Sequence, residues 1–591
     1  MVIKTIFCIL FLPFVILAEG RADAPPSPLI SPCGSENSKE IPSHIPVPVL
    51  YTDRDIYIAG EYLYFSAKLP GPVTPGETGR LAFITLRCSG GNTVKKGIAA
   101  VDRGYAWGGI YLDDTLSTGI YRISCFEGTA SAGVSPIPAG KEVMVANRFD
   151  SDLDEFIKPF GYLQGNERRS HDTEYTSEEP NIRISSDRKR YGTREPVIIS
   201  LETESHIEYP VWAALSAARE ETLLWCLDGI FAGEPDRPEW RENSSTRHQQ
   251  NTIRGGLQIS GVARSNETGA PMPGLGLFLT MAGEVINLYH TTTCSNGTFS
   301  FLLNDYHETN QVHISPQNPE MSGISSITLN DMFDAVPLYI PGRDIGTPPS
   351  TETIKKSQDI ATINKLFGIS FHHEKPGPDP WQFRRPLLYS RPANRVFPEN
   401  FIPLDNLMEI ARELVPQWQI RERGGRLVSR LVNSRTGTYF DDAPAIFLDG
   451  VHIMRPEEIV HLGSEDIGVI EVHNYPWRYG DAEFSGIISI KSTNEAYRDV
   501  TASGPYVIAD IPEVIPRSTL MPPAYEEDRK MNDPDFRQTL YWKPEIIFRS
   551  REEKKEIRFY SGDLAGTYIV KVEGVTSSGN SFSEYLRIVV E

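Results

Sequence analysis

Two segments of this 591-residue chain match each other without a gap. The first is TDRDIYIAGEYLYFSA at residues 52–67, and the second is SDRKRYGTREPVIISL at residues 186–201. Both carry the pattern Asp-Arg-x-x-Tyr-x-x-x-Glu, in which Asp53 corresponds to Asp187 and every later position keeps the offset of 134 residues. A gapless match followed by an apolar run indicates a duplicated domain, in which a strand, a tight polar turn and a second strand enter a sheet.

The repeated pattern resembles the opening of macroglobulin-like β-sandwich domains, which begin with a similar Thr-Asp, Tyr and Gly-Glu turn. Strand-like apolar segments follow the first copy at 81–87 and 119–123, and continue the second copy at 210–218. The resemblance implies one macroglobulin-like domain at residues 45–150 and a second at residues 180–235.

The resemblance raises the possibility of protease trapping. Macroglobulin traps carry a reactive thioester in a Cys-Gly-Glu-Gln motif. The nearest string in this chain is Cys33-Gly34-Ser35-Glu36, which breaks the motif and lies in an N-terminal linker. We therefore expect the sandwich fold without the trapping chemistry.

The composition also favours β-structure. The chain contains 47 Gly, 45 Pro and 10% aromatic residues, which suits many short strands and turns. Its length predicts several domains, at roughly 100–200 residues each. The formal net charge of −20 argues against nucleic acid or an anionic membrane as a general partner.

A third β-domain is predicted at residues 255–335. Strand-like segments at 259–263, 274–280 and 284–289 alternate with polar turns. The run 291–303, TTTCSNGTFSFLL, places Asn-Gly between β-formers, which is a strong hairpin signal. This module resembles the carboxypeptidase regulatory-like domain, a seven-stranded β-sandwich that precedes plug domains in many outer-membrane receptors and is not itself a peptidase.

A different pattern follows toward the C-terminal side. An apolar run ends at Asp449-Gly450, a pair typical of a tight turn, and is followed by the acidic-apolar segment 464–472 and the strand-like run 486–490. Apolar residues at helical spacing predict a helix at 404–414, just upstream. This order resembles the plug domain of TonB-dependent outer-membrane receptors and implies a small α+β plug-like domain at residues 398–497.

A receptor plug normally sits inside a barrel of about 22 strands. Only 98 residues follow Thr493, too few for such a barrel at about 9–11 residues per membrane strand. We therefore expect a plug-type module used outside a pore, which holds a partner rather than gating transport.

The remaining segments complete the predicted order. Residues 340–395 are rich in proline and polar residues and predict a linker with a short helix near 359–367. Residues 535–591 predict a separate C-terminal β-domain, with strands at 556–560, 566–572 and 585–590. The order resembles a family of secreted plug-containing proteins of diderm bacteria. The predicted fold class is mainly β and multidomain, with tandem β-sandwich domains and the small α+β plug-like domain.

The N-terminus predicts a signal peptide at residues 1–18, because Lys4 precedes an apolar run, 6–18, that is too short to span a membrane. A short uncleaved anchor is the alternative. No later run reaches about 18 apolar residues, so no transmembrane helix is expected. Five cysteines follow the signal peptide. The sequence leaves open whether Cys88 and Cys125 form a disulfide or remain two buried thiols.

The sequence lacks His-Glu-x-x-His, Gly-x-Ser-x-Gly and the phosphate-binding Gly-x-x-x-x-Gly-Lys-Ser/Thr. The clusters that come nearest to a site are His372-His373-Glu374, Asp113-Asp114, Asp441-Asp442 and the acids Glu465, Asp466 and Glu471. For each of them an exposed loop, a solvated acidic pair or a turn is the favoured interpretation. We therefore expect no catalytic residue, no metal site, no cofactor and no enzyme activity.

The candidate binding residues are Tyr475, Trp477, Arg478 and Tyr479 in the loop HNYPWRYG. In an extended segment the three alternating aromatic side chains lie on one side. Aromatic residues with an Arg are typical of protein or glycan contacts. Burial against a neighbouring domain is the alternative interpretation.

These patterns predict a non-enzymatic, extracytoplasmic binding or assembly protein, in the periplasm or at the cell surface and associated with the outer membrane. Its plug-like domain would dock on an outer-membrane receptor, transport complex or secretion complex. The alternative is an accessory of nutrient uptake that binds carbohydrate or peptide directly. An enzyme with an unrecognised site is the third hypothesis.

Overall fold

The computed structural model describes the chain in the following segments: 48–69, 80–127, 138–150, 182–204, 208–223, 256–283, 286–303, 311–333, 350–370, 372–374, 391–479, 482–520, 523, 525, 534–551 and 553–591. The expected signal peptide, Cys33 and Cys226 lie outside the described residues. Across these segments the protein is mainly β and multidomain, as the sequence predicts.

The chain divides into two compact units. The smaller unit is formed by residues 388–447 and 455–494. The larger unit contains residues 32–387, 448–454 and 495–591, so the smaller unit is an insertion in its sequence.

The first β-sandwich of the larger unit packs a three-stranded sheet against a six-stranded sheet around one apolar core. The smaller sheet has the strand order Val49–Thr52, Tyr62–Lys68 and Tyr105–Tyr111. The larger sheet has the order Ile56–Ile58, Ala139–Ala146, Gly119–Glu127, Leu81–Cys88, Thr93–Ala100 and Glu513–Val514.

The larger sheet is buried on both faces along its central strand Leu81–Cys88. Along Leu81–Cys88, Ile84 and Leu86 join the core of the first sandwich, whereas Phe83 on the opposite face joins the core of the third sandwich. Alternation along the strand places these neighbours on opposite faces. A strand that is buried on both sides reads as a continuous apolar run, which explains the sequence LAFITL.

The third β-sandwich contains seven strands in two sheets. One sheet has the order Thr298–Leu303, Leu257–Ser265 and Ser325–Leu329. The other has the order Asn287–Thr292, Gly276–Met281, Gln311–Pro316 and Val507–Asp510. The last of these strands comes from beyond the inserted unit, so the domain predicted at 255–335 is not closed by its own segment.

The predicted hairpin at Asn296-Gly297 is wrong. Asn287–Thr292 and Thr298–Leu303, the strands that flank it, belong to different sheets. Gly297 has a φ of 78° and lies in a tight turn, closed where the Cys294 amide donates to the Thr298 carbonyl at 2.8 Å. The Asn-Gly pair therefore turns the chain from one sheet to the other.

The second β-sandwich joins two parts of the chain that the sequence analysis treated as separate domains, 180–235 and 535–591. Its five-stranded sheet has the order Arg190–Tyr191, Ser581–Val590, Gly566–Val575, Val211–Arg219 and Thr539–Phe548. Its three-stranded sheet has the order Lys554–Tyr560, Pro196–Thr203 and Ile182–Ser186. The two segments share one core, because neither supplies enough strands to bury its apolar face alone.

Residues 507–520, which we name the strap, link all of these domains. Val507–Asp510 pairs with Gln311–Pro316 of the third sandwich, and Glu513–Val514 pairs in parallel with Thr93–Ala100 of the first. Ser518–Leu520 then pairs with His372–Glu374, shortly before the chain enters the second sandwich.

Two glycines in the first sandwich allow the strap to lie close. A Cβ atom at Gly97 would be 2.8 Å from the Glu513 carbonyl oxygen, and one at Gly108 would be 2.8 Å from the Pro516 carbonyl oxygen. Glycine within a strand often marks such a close backbone approach. Arg517 adds an ion pair to Asp102 at 3.3 Å.

The Pro-rich segment 340–395, predicted as a linker, contains the helix Thr351–Leu366. Ser350 caps it by accepting a hydrogen bond from the Thr353 amide at 3.2 Å. Ile354 and Ala361 bury their side chains against the first sandwich. The helix is therefore part of the larger unit and not only a connection.

The smaller unit is α+β, as predicted. Its sheet contains, in order, Asn394–Val396, Ile467–His473, Ile487–Ser492 and Ala445–Leu448, which ends at the unit boundary. Two hairpins add Trp418–Arg423 with Arg426–Leu431, and Trp477–Tyr479 with Ala482–Phe484.

The helix predicted at 404–414 spans Leu407–Leu414. It begins three residues later than predicted because Asn406 caps it, accepting a hydrogen bond from the Glu409 amide at 3.0 Å. The remaining described helix, Tyr497–Ser503, belongs to the larger unit. Asp449 and Gly450 have φ values of 51° and 88° and form the tight turn that the sequence predicts before Val451–Ile453.

The duplicated pattern forms the same hydrogen-bonded network twice. Asp53 Oδ1 accepts from the Tyr57 hydroxyl at 2.8 Å and from the Tyr64 amide at 3.1 Å. In the second copy, Asp187 Oδ1 accepts from the Tyr191 hydroxyl at 2.7 Å and from the Ile198 amide at 3.1 Å.

The Arg and Glu of the pattern also pair in both copies, Arg54 with Glu61 at 2.7 Å and Arg188 with Glu195 at 3.0 Å. The pattern therefore fixes the polar turn between two strands through side-chain hydrogen bonds and an ion pair.

Candidate functional site

The aromatic loop of the smaller unit forms a short antiparallel hairpin, residues 477–484, which we name the aromatic hairpin. Trp477 pairs with Phe484, Arg478 with Glu483, and Tyr479 with Ala482. Because side chains alternate along a strand, Trp477 and Tyr479 lie on one face and Arg478 on the other. The structure thus gives Trp477 and Tyr479 the shared face expected from their spacing, whereas Tyr475, the third aromatic residue of the expected set, lies in a bend outside the hairpin.

The two faces of the aromatic hairpin differ in exposure. Trp477 and Tyr479 are half-buried, and Phe484, opposite Trp477, is buried with 8% of its surface exposed. Arg478 is 72% exposed and forms an ion pair with Glu483 across the strands. The hairpin therefore presents aromatic rings that are only partly covered, beside a charged pair that faces solvent.

Tyr475 lies just before the hairpin, in a bend that follows the strand Ile467–His473. Its hydroxyl is 3.1 Å from Nδ1 of His473, and the two rings meet edge to face. Burial and, to a smaller extent, the positive charge of Arg395 lower the pKa of His473 to about 4. A neutral imidazole therefore orients the phenol at neutral pH.

Three exposed apolar residues of the smaller unit, Phe397, Phe401 and Ile402, were missed by the sequence analysis. Phe401 is 52% exposed and Ile402 is 83% exposed. They follow the short 3₁₀ turn Pro398–Asn400 and precede the cap of the helix Leu407–Leu414. The sequence could have indicated the exposure of Phe401 and Ile402, because they directly follow a Pro-containing turn and residues at turns usually face water.

The acidic pairs Asp113-Asp114 and Asp441-Asp442 are engaged in ion pairs or exposed. Asp114 bridges Arg148 at 3.0 Å and Lys365 at 2.5 Å. Asp113 lies 3.8 Å from Lys95, and Asp441-Asp442 is exposed.

The acids of segment 464–472 have the structural roles that were favoured for them. Asp466 accepts a hydrogen bond from the Gly463 amide at 3.0 Å within a turn, and Glu471 pairs with Arg395 on the neighbouring strand. The described residues contain no group of three or more His, Cys, Asp or Glu side chains arranged to hold a metal ion.

Cys88 and Cys125 are two free thiols on neighbouring strands. Cys88 lies opposite Tyr121, and Cys125 lies opposite Ile84, four positions away in the register. Residues four positions apart along a strand are separated by roughly 13 Å, too far for a disulfide. Burial raises the pKa of the Cys125 thiol, which keeps it protonated and unreactive.

Comparisons with known proteins add a distant structural likeness. No protein-family model and no curated protein sequence matches the chain. The α2-macroglobulin of Salmonella, reacted with methylamine, is similar at 9% identity and a TM-score of 0.21, over 94% of this chain and 40% of that one. Trypsin-activated α2-macroglobulin from Escherichia coli gives 10% identity and a TM-score of 0.21, over 94% and 42%. The Yersinia pseudotuberculosis adhesin InvE gives 11% and 0.13, over 48% and 57%.

The chain spans less than half the length of these macroglobulin structures. At these TM-scores the likeness carries no structural argument, and the β-sandwiches are established by the sheets of this chain. Within the segments that the structure describes, no helix combines the length and the apolar character needed to cross a membrane.

Proposed function

We propose that this chain is a non-enzymatic binding or assembly protein of the extracytoplasmic space, and that its smaller unit is a plug-like docking module for an outer-membrane protein or complex. The three β-sandwiches carry this module and act as spacers. The observation that carries the proposal is the aromatic hairpin, which places two half-buried aromatic residues on one face of an inserted α+β unit.

The chemistry of the aromatic hairpin suits protein docking. Trp, Tyr and Arg are the residues most enriched at binding hot spots. Trp477 and Tyr479 have apolar area left to bury, and the exposed Arg478–Glu483 pair can exchange partners on the opposite face. Phe401 and Ile402 give the same unit further exposed apolar surface.

The test is capture of a partner from detergent-solubilised outer membranes by the tagged mature protein, with the captured proteins identified by mass spectrometry. We expect one stoichiometric membrane partner. The double substitution Trp477→Ala/Tyr479→Ala should weaken its capture at least about tenfold, as loss of central aromatic anchors does elsewhere.

Tyr439→Ala is the matched control. Tyr439 is also half-buried in the smaller unit, where its ring lies 4.7 Å from the Arg430 guanidinium, but it is not part of the aromatic hairpin. Equal capture by the wild-type protein and by the hairpin variant would count against this surface. Absence of any membrane partner would count against the docking function as a whole.

A further inference from the structure

Two neighbouring cavities in the larger unit share one aromatic wall. One has a volume of about 370 Å³ and the other of about 140 Å³. Tyr62, Tyr111 and His372 line both of them. The larger volume lies within the range of about 300–1,000 Å³ that is typical of small-molecule sites.

The rings of this aromatic wall are fixed by contacts with each other. Tyr62 and His372 stack with centroids 3.6 Å apart and an interplanar angle of 8°, and Tyr111 is tilted against Tyr62 at 5.3 Å. His372 Nδ1 is also 3.2 Å from the Tyr64 hydroxyl. The strand His372–Glu374 is held by the strap, so the wall depends on residues that are distant in sequence.

Charged groups line the larger cavity, and their charges are balanced once the ion-pair partners Asp114 and Asp535, which lie outside the lining, are counted. Arg54 pairs with Glu61 at 2.7 Å and Arg537 with Asp535 at 2.6 Å. Lys365, which is 53% exposed, shares Asp114 with Arg148. Asp53 supplies a fourth carboxylate for the four cations. The cavity therefore offers many hydrogen-bond donors and acceptors without a strong preference for an ionic ligand.

A fixed aromatic wall beside balanced polar groups suits a particular ligand chemistry. The C–H face of a sugar ring packs on an aromatic ring, and its hydroxyl groups both donate and accept hydrogen bonds. A charged ligand would have to displace existing ion pairs, and a purely apolar ligand would leave the polar groups without water.

We propose that the two cavities form one binding site for a neutral oligosaccharide, with Tyr111 and Tyr62 as the stacking wall and Lys365 and Glu61 as hydrogen-bonding groups. This site is distinct from the aromatic hairpin and does not depend on the docking function. It gives the larger unit a ligand of its own.

The test is isothermal titration calorimetry of the full mature chain with maltohexaose, cellohexaose and chitohexaose. A galacturonate hexamer and an uncharged hexapeptide are the comparison ligands. We expect at least one neutral hexasaccharide to bind and both comparison ligands to give no signal. Tyr111→Ala should weaken binding about tenfold or more, and Lys365→Ala about threefold.

The controls distinguish a variant that has lost the binding site from a variant that no longer folds. Lys365 is largely exposed, so Lys365→Ala keeps the fold and decides the matter if Tyr111→Ala does not fold. Tyr439→Ala, in the smaller unit, should bind as the wild-type chain does. The proposal is overturned if none of the three neutral sugars binds, if only the galacturonate or the peptide binds, or if both site variants bind normally. Loss of sugar binding in Trp477→Ala/Tyr479→Ala alone would move the site to the aromatic hairpin.

Discussion

The two copies of the duplicated pattern contain the same contacts in different surroundings. In the first copy the Asp53 and Arg54 side chains are 1% and 7% exposed, and in the second the Asp187 and Arg188 side chains are 33% and 48% exposed. The hydrogen-bond lengths to the Tyr hydroxyl differ by only a tenth of an ångström, 2.8 Å against 2.7 Å.

The difference arises from what packs on each copy. Thr539, at the start of a strand of the second sandwich, donates a hydrogen bond to Asp53 Oδ2 at 2.7 Å. Tyr51, Tyr64 and Trp542 continue this buried junction between the first and second sandwiches. The local sequence therefore determines the network, and the neighbouring domain determines how much the network contributes to stability.

The largest effect is expected from removing the buried carboxylate. Asp53→Ala leaves a buried guanidinium with one partner fewer and removes the acceptor of the Thr539 hydroxyl and one of the two acceptors of the Tyr57 hydroxyl, so it should cost about 3–5 kcal/mol of unfolding free energy. Asp187→Ala removes the corresponding tyrosine and amide bonds from a more exposed position and should cost about 1 kcal/mol. Urea unfolding followed by tryptophan fluorescence measures both, and equal costs would contradict the role assigned to the domain junction.

A smaller effect is expected from the tyrosine hydroxyls. Tyr57→Phe removes a group that donates to Asp53 and lies in a fully buried network, which should cost about 1–3 kcal/mol. Tyr191→Phe should cost about 0.5–1.5 kcal/mol, since water reaches the partners of its hydroxyl. Hydrogen-exchange mass spectrometry localises each loss of protection to residues 52–69 or 186–204. If the loss spread equally over both regions, the two copies would not be independent.

The smallest effect is expected in the pH dependence of stability, to which Asp53 and Asp187 contribute with opposite signs. Burial raises the pKa of Asp53 above its ordinary value. Its contribution to stability is therefore complete below the unfolded pKa, about 3.9, and declines as the pH rises through the folded pKa. Burial acts in the same direction on Asp187, but hydrogen bonds from Tyr191, Ile198 and Arg188 outweigh it and lower the pKa. That contribution is complete above about pH 3.9 and declines as the pH falls through the folded pKa.

Unfolding of Asp53→Asn and Asp187→Asn, each compared with the wild-type chain between pH 3 and pH 7, measures these signs. On acidification the wild-type chain should gain stability relative to Asp53→Asn and lose stability relative to Asp187→Asn. If the unfolding free energies of the two variants changed with pH in the same way, the proposed electrostatic difference between the copies would be wrong.

Local features of the fold could be predicted from the sequence, and long-range pairing could not. The pattern from Asp53 to Glu61 sets a network among residues within eleven positions, so its repetition was visible. Val211–Arg219 instead pairs with Thr539–Phe548, more than 300 residues away, and neither strand carries a signal for its partner. Gly108, in the middle of a strand, was the available indication that another backbone approaches there.

The candidate sites follow the same division. The aromatic hairpin comes from one continuous segment, so the alternation of Trp477 and Tyr479 placed both on one face in advance. The shared aromatic wall brings together Tyr62, Tyr111 and His372, of which the last lies more than 250 residues from the others. In the sequence His372 belonged only to a cluster in a Pro-rich segment.

The strap and the strands after it also determine when this chain can fold during synthesis. The third sandwich requires Val507–Asp510, and the second requires Thr539–Phe548 and the three strands that follow it. Until those residues emerge, the earlier strands have open edges and partly uncovered cores, which is the state most prone to aggregation. The larger unit must therefore complete its domains together and late, with the smaller unit already made, and its nascent chain is a natural client for chaperones.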